Sequence, residues 1–428
     1  MTDAAATRTA SATADQCACP DFLVSRRNLL RGGAALGGGL MTSSLLGSVF
    51  TQVAYGATTS NPNVLVVLSL RGGADGLSMV VPHGDPGYYA ARPHIAVPKA
   101  SLLGADAMFG LHPAFAPLLP MWNAGTFAAV QATGLAQPNR SHFAAMEEVE
   151  DALPGSVERN GWINRVVGSL GNMQPIDAVQ LGSDSTTTSM YGPAPSMSIS
   201  SLSRLTIPAY GTEFEACTRQ SMSTAFSGVD TPLATSALTS LEATAEWGGL
   251  SADQPPANGA TYPAGELGKP LADAARLIRS DVGARVVTLD YGSWDMHNNL
   301  GTTGQGLMRN SLDELVGCLA AFFGDLGAAA SRVTVVTISE FGRRVKENGN
   351  TGVDHGYGNA MLVLGAGING GQYLSRWPGL GPENLLDGDL QVTTDYRSVL
   401  AELVRGRFPE ASLSEVFPGF TPETVGLV

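Results

Sequence analysis

The sequence predicts an α/β protein: a doubly wound, mainly parallel sheet with helices on both faces. Three observations carry this. Short apolar, β-branched runs alternate with segments of helical spacing. Clusters of Asp, Glu, His and Arg stand just past several of those runs, where open parallel sheets place their sites. The chain has 428 residues, 44% hydrophobic and 15% charged, which excludes a disordered, coiled-coil or collagen-like protein.

The elements follow in order. Ser25-Arg26-Arg27-Asn28-Leu29-Leu30 has the paired arginines of a twin-arginine export signal. The stretch behind it, Gly33 to Phe50, is diluted by Gly, Ser and Thr and is a poor spanning helix. Small residues at 54–57 suit a signal peptidase. Residues 1–57 are therefore expected to be a delivery label read by the twin-arginine translocase. The mature chain is expected in the periplasm or outside the cell, with no stable membrane span.

Residues 58–428 are expected to form one domain. Residues 63–70 (NVLVVLSL) read as a buried strand that stops at Arg71-Gly72-Gly73. A second strand is predicted at 126–132, a helix at 141–151 and a third strand at 176–181. Residues 183–268 are rich in Ser, Thr, Ala, Gly and Pro and read as an irregular insertion or cap. Order returns with a helix at 269–281, a strand at 285–289, a helix at 304–328, strands at 332–338 and 360–364, and a helix at 396–406. Cys217 and Cys318 remain after signal removal. An oxidising compartment would allow their disulfide, but the apolar helical run around Cys318 favours a buried thiol.

The formal net charge is −13, with only three Lys in the chain. Such a field repels nucleic acid and anionic lipid. The candidate chemistry lies past the strands, in Asp75, in Asp290 and Asp295 with His297, in Glu340 with Arg343, and in Asp354-His355. A fourth cluster, Asn139-Arg140-Ser141-His142, opens a helix. Carboxylates and imidazoles together suit a divalent metal. Asp295 and His297 share one side only on an extended or looped backbone. Ser141 at a helix start faces backbone N–H groups that favour an incoming oxyanion, and Arg140 offers a fork for phosphate or sulfate. The plainer readings are Ser141 as an N-cap, Asp75 as a turn residue, Glu340–Arg343 as a salt bridge, and His83, His94 and His112 as loop or packing residues.

The runs LRGGADGL (70–77), NRSHF (139–143), WDMH (294–297), SEFGR (339–343) and VDHG (353–356) resemble the bacterial family known as domain of unknown function 1501, which in turn resembles the alkaline phosphatase and sulfatase superfamily. The resemblance implies that fold, with Ser141 as nucleophile and Asp75, Asp295, His297, Asp354 and His355 as metal ligands. It departs from the superfamily pattern at two places. Asp354 comes fourteen positions after Glu340, which makes Glu340 the alternative ligand at that strand end. His355 is the last histidine, so Asp395 is the substitute for a final metal ligand. Two functions are carried forward. The first is an exported hydrolase of phosphate or sulfate esters, on small molecules or glycans, using one or two ions of zinc, calcium, magnesium or manganese. The second is a catalytically silent binding or cell-surface assembly protein on the same fold.

Overall fold

The computed structural model describes residues 62–428, apart from 172, 208, 210–213 and 253. The expected signal, residues 1–57, lies outside the described residues.

A nine-stranded sheet forms the centre. Its strands are β1 (Val64–Leu70), β2 (Phe127–Gly134), β3 (Ala178–Leu181), β4 (Met197–Ile199), β5 (Val286–Tyr291), β6 (Val333–Ile338), β7 (Asn359–Gly365), β8 (Tyr373–Leu374) and β9 (Thr394–Asp395). The order across the sheet is β8-β2-β7-β6-β1-β5-β3-β4, with β9 also paired to β2. β1 lies at the middle, parallel to β5 and β6. β7 alone runs against its neighbours, antiparallel to β2 and β6; the remaining pairings are parallel.

Side chains alternate along β1 as a strand requires. Val64, Val66, Leu68 and Leu70 join one apolar cluster, Leu65 and Val67 the other. The first face is covered by α6 (Gly268–Arg279) and α7 (Leu307–Leu326), through Leu271, Leu277, Leu315 and Phe322. The second is covered by α2 (His142–Asp151), α3 (Trp162–Ser169) and α8 (Tyr396–Arg407), through Met146, Trp162 and Leu400. A short helix, α1 (Gly76–Met79), follows β1. Helices on both faces of a mainly parallel sheet match the expected class.

By length and composition α7 could cross a membrane. Its apolar face is spent in the core, where Leu312, Leu315, Val316, Leu319 and Phe322 are fully buried. Cys318 on the same helix is a free, buried thiol, and burial pushes it up to about 12. The Cys217–Cys318 disulfide is therefore not formed.

Residues 183–268 are more regular than expected. They supply the edge strand β4 and two helices packed on each other, α4 (Glu215–Phe226) and α5 (Pro232–Trp247). Their apolar residues are mostly Ala and Leu spread among Ser and Thr, which hid the helical period. The start of α5 is nonetheless orthodox: Pro232 occupies the first turn and the Thr231 hydroxyl accepts from Ala234 N at 3.2 Å.

The reversal of β7 decides where the chemistry goes. β6 and β7 are joined by residues 339–358, which leave and re-enter the sheet at the same end. That end also carries residues 71–76 after β1 and 292–298 after β5. The long connection folds back on itself, with Gly342 N donating to Tyr357 O at 2.8 Å and Arg344 N to Asp354 O at 2.9 Å. A side chain at Gly342 could not fit, since its Cβ would lie 1.8 Å from the Gly358 carbonyl. The fourteen-residue separation of Glu340 and Asp354 is thus closed in space.

Candidate metal centre

Three chain segments meet past the strand ends. The first is the start of α2. Ser141 occupies its N-cap position with extended backbone, and its hydroxyl makes no capping bond. The second is Trp294 to His297. Trp294 and Met296 are buried while Asp295 and His297 face outward, the one-sided alternation that the i, i+2 spacing requires. Gly72 lets this segment approach, because a Cβ there would lie 2.7 Å from Asp295 N, and its φ of +113° suits glycine. The third is the folded-back loop, which carries Glu340, Asp354 and His355.

These segments converge on four atoms. His355 Nε2 lies 3.0 Å from His142 Nε2 and 3.0 Å from His297 Nε2. Asp295 Oδ1 lies 3.0 Å from His297 Nε2, 3.3 Å from His355 Nε2 and 3.6 Å from His142 Nε2. A tetrahedral ion with bonds of about 2.0–2.1 Å sets its donors about 3.3–3.4 Å apart. The five edges above, 3.0–3.6 Å, lie around that value. Among the described residues, His142, Asp295 and His355 form a group able to hold a metal; His297 lies beside it, 3.0 Å from both His355 Nε2 and Asp295 Oδ1.

The other nitrogen of each imidazole is held. His142 Nδ1 meets Glu340 Oε1 at 2.8 Å, His297 Nδ1 meets Asp354 Oδ1 at 2.8 Å, and His355 Nδ1 meets the Arg140 carbonyl at 3.0 Å. Each acceptor fixes a proton on Nδ1 and leaves Nε2 with a lone pair turned inward. Three facing lone pairs attract only through a cation or a shared proton. Histidines oriented by carboxylates in this way are the usual support of a bound metal.

The electrostatics agree. Burial raises the Asp295 carboxyl, but the Arg343 guanidinium, 2.6 Å from Oδ1, outweighs it and holds the group below its ordinary value. The bond from His297, helped by Asn348, holds Asp354 down as well. Desolvation lowers His355. The cluster is open to solvent: side-chain exposure runs from 24% at His355 to 47% at Asp295.

Several expected roles change. Asp75 is 2% exposed and both its oxygens bind the buried Arg92, at 2.5 and 2.9 Å; Ser78 takes Oδ2 as well. It has no donor to spare for the centre. Glu340 and Asp354 orient histidines and lie behind the converging atoms. Glu340 accepts from Gly72 N at 2.8 Å and does not pair with Arg343, which goes to Asp295 and to the carbonyls of Gly72, Gly73, Trp294 and Val353. The Arg140 side chain is not a free clamp. Its Nε and Nη2 both bind Asp389 Oδ2, and the guanidinium lies over the Tyr357 ring at 4.3 Å. Asp395 caps α8 and pairs with Arg397. His83, His94 and His112 are loop or packing residues, bonded to Asp106 O, to Glu347 and to Ala114 N.

His142 and Arg343 stand in clusters read from the sequence, but without the roles of ligand and of partner to Asp295. His142 stood in the NRSHF run beside Ser141. Its signal was subtraction: with three of the six histidines beside Pro or Gly in loops, three remain for one site. Nothing in the sequence marks the reach of Arg343 across three loops.

The family described as protein of unknown function (DUF1501) matches residues 126–400. The chain belongs to that family. The matched span carries all four converging side chains, from His142 to His355. Solved structures similar to this DUF1501 chain include the C-terminal periplasmic domain of EcEptC from Escherichia coli in complex with Zn, at 10% identity over 90% of this chain and 95% of that one, with a TM-score of 0.34. The alkaline phosphatase from the Antarctic bacterium TAB5 is 8% identical over 72% and 93%, with a TM-score of 0.29. The 2-O GAG sulfatase BT1596 is 10% identical over 73% and 66%, with a TM-score of 0.30. Among curated proteins no match is found.

Proposed function

We propose that this chain is an exported, metal-dependent hydrolase of phosphate or sulfate esters that works with one divalent ion. The observation that carries this is the convergence of three imidazoles, each fixed by an acceptor on Nδ1, around Asp295 Oδ1 at 3.0–3.6 Å. His142, Asp295 and His355 would hold the ion, with His297 beside them, which leaves the fourth position to the ester oxygen. A nitrogen-rich set favours zinc over calcium or magnesium, which take oxygen ligands. An ion there would act as a Lewis acid on an ester oxygen. Ser141 is the candidate nucleophile, since its exposed hydroxyl makes no capping bond beside His142. The N–H groups of α2 would face the oxyanion of the bound ester.

Elemental analysis tests this on protein taken from the exported fraction without chelator. The expected result is one zinc per chain, lost in His142→Ala and His355→Ala, with hydrolysis of an aryl phosphate or sulfate panel lost in Ser141→Ala. Failure to retain any ion after incubation with zinc, calcium, magnesium and manganese would sink the reading in favour of a silent binding protein.

A further inference from the structure

We infer that the site selects esters carrying one negative charge, phosphate diesters or sulfate monoesters, over phosphate monoesters carrying two; this rests on the hydrolase reading above. The ground is how the charges around the four converging atoms are already spent.

The inner set holds three carboxylates, Asp295, Glu340 and Asp354, against one guanidinium, Arg343. An imidazole that binds a metal ion does so in its neutral form. The set is two negative, so a divalent ion brings it only to zero. A substrate with two charges would find no surplus positive charge in this shell.

The surrounding arginines do not make up the difference. Arg343 is fully buried on Asp295 and four carbonyls. Arg71, next to Gly72, lies between Glu150 at 2.6 Å and Asp290 at 2.8 Å. Arg140 comes just before the helix that would face the ester, the natural place for a clamp, yet its guanidinium is turned onto Asp389. That carboxylate is fully buried, and Arg344 stands 3.8 Å from its other oxygen while also bonding the Asp387 carbonyl. Arg71 and Arg343 are matched by carboxylates, and Arg140 and Arg344 share the one charge of Asp389, so none of them is a free fork. An ester oxygen bearing the second charge would gain no fork of the kind that normally binds phosphate dianions. Asp389 is the residue that sets this, because it withdraws Arg140.

The test is a calorimetric titration of the zinc-loaded full chain at mildly alkaline pH. The ligands are phenylphosphonate, with two charges, and its monomethyl ester, with one. The monoester ligand is expected to bind at least about tenfold more tightly. Asp389→Asn leaves the Arg140 charge uncompensated and should shift that ratio toward the dianion by about tenfold, with zinc affinity measured in parallel because the Arg140 carbonyl also holds His355. The wild-type ratio decides even where the variant folds poorly. Equal or tighter binding of the dianion overturns the inference and leaves the hydrolase reading standing. Binding of neither ligand to zinc-loaded protein overturns the hydrolase reading, and the inference with it. Turnover of bis-aryl phosphate against aryl sulfate then separates the two singly charged classes.

Discussion

Glu340→Gln isolates the part of the centre that orients without ligating. In the native chain Glu340 Oε1 accepts from both Gly72 N and His142 Nδ1. A glutamine carbonyl can keep both bonds, so the fold should hold. What disappears is the negative charge that makes His142 a better donor. Loss of such a partner weakens metal binding about 10–100-fold, or roughly 1.4–2.7 kcal/mol. The effect should also appear in stability. At free zinc about 100 times the parental Kd, the parent gains about 2.7 kcal/mol from the ion; the variant, with its weaker Kd, gains about 0.4–1.4 kcal/mol. Competition against a chromophoric chelator reads the affinity, and urea unfolding with and without zinc reads the gain. Parental affinity in Glu340→Gln, with His142→Ala also binding normally, would refute this account of the centre.

Other outcomes follow from the same contacts. Arg343→Met strands Asp295 and four buried carbonyls and should cost about 3–5 kcal/mol in urea unfolding; a loss under about 1 kcal/mol contradicts the role given to Arg343. Asp75→Ala leaves Arg92 charged and buried, with a similar penalty of about 3–5 kcal/mol. Zinc stoichiometry should be unchanged there; a lost ion would restore Asp75 as a ligand. His112 is buried and desolvated down to about 4 from an ordinary 6.5, so it is neutral when folded. The unfolded chain binds the proton more readily, and the stability from this group is lost as pH falls through that window, approaching about 3 kcal/mol below it. Unfolding midpoints taken from neutral pH down to about pH 4 should fall less in His112→Asn than in the parent.

The sheet was legible because its strands are buried on both faces and read as unbroken apolar runs. β1, β5 and β6 are of this kind, and their carboxyl ends pointed to the loops that matter. Asp295 and His297 were legible for a local reason, a two-residue alternation that fixes which side they face. The antiparallel sense of β7 was not, because the run at 359–365 has the same composition in either direction. That one unread reversal made Asp354 look misplaced. Asp75 and Arg140 misled because a carboxylate between glycines and an arginine before a helix look unpaired until the distant partner is known. Arg92 and Asp389 are those partners, and long-range ion pairs leave no trace in spacing. The helices at 215–247 went unread because Ser and Thr spread among their Ala and Leu residues blur the apolar face.

The central position of β1 has a consequence for how the chain is made. Its ladder partners are β5 and β6, the nearer of which begins about 220 residues later. At roughly 5–20 residues per second, a ribosome needs about 10–45 s to supply it. Through that interval the segment VLVVLSL is synthesised but has neither neighbour. It is short, uncharged and rich in β-branched residues, the profile of a segment that pairs with copies of itself. A nascent chain stalled before residue 286 would expose an adhesive strand with no native mate. Holdase chaperones should crosslink most strongly to chains halted in that stretch, and release them once residue 338 has emerged.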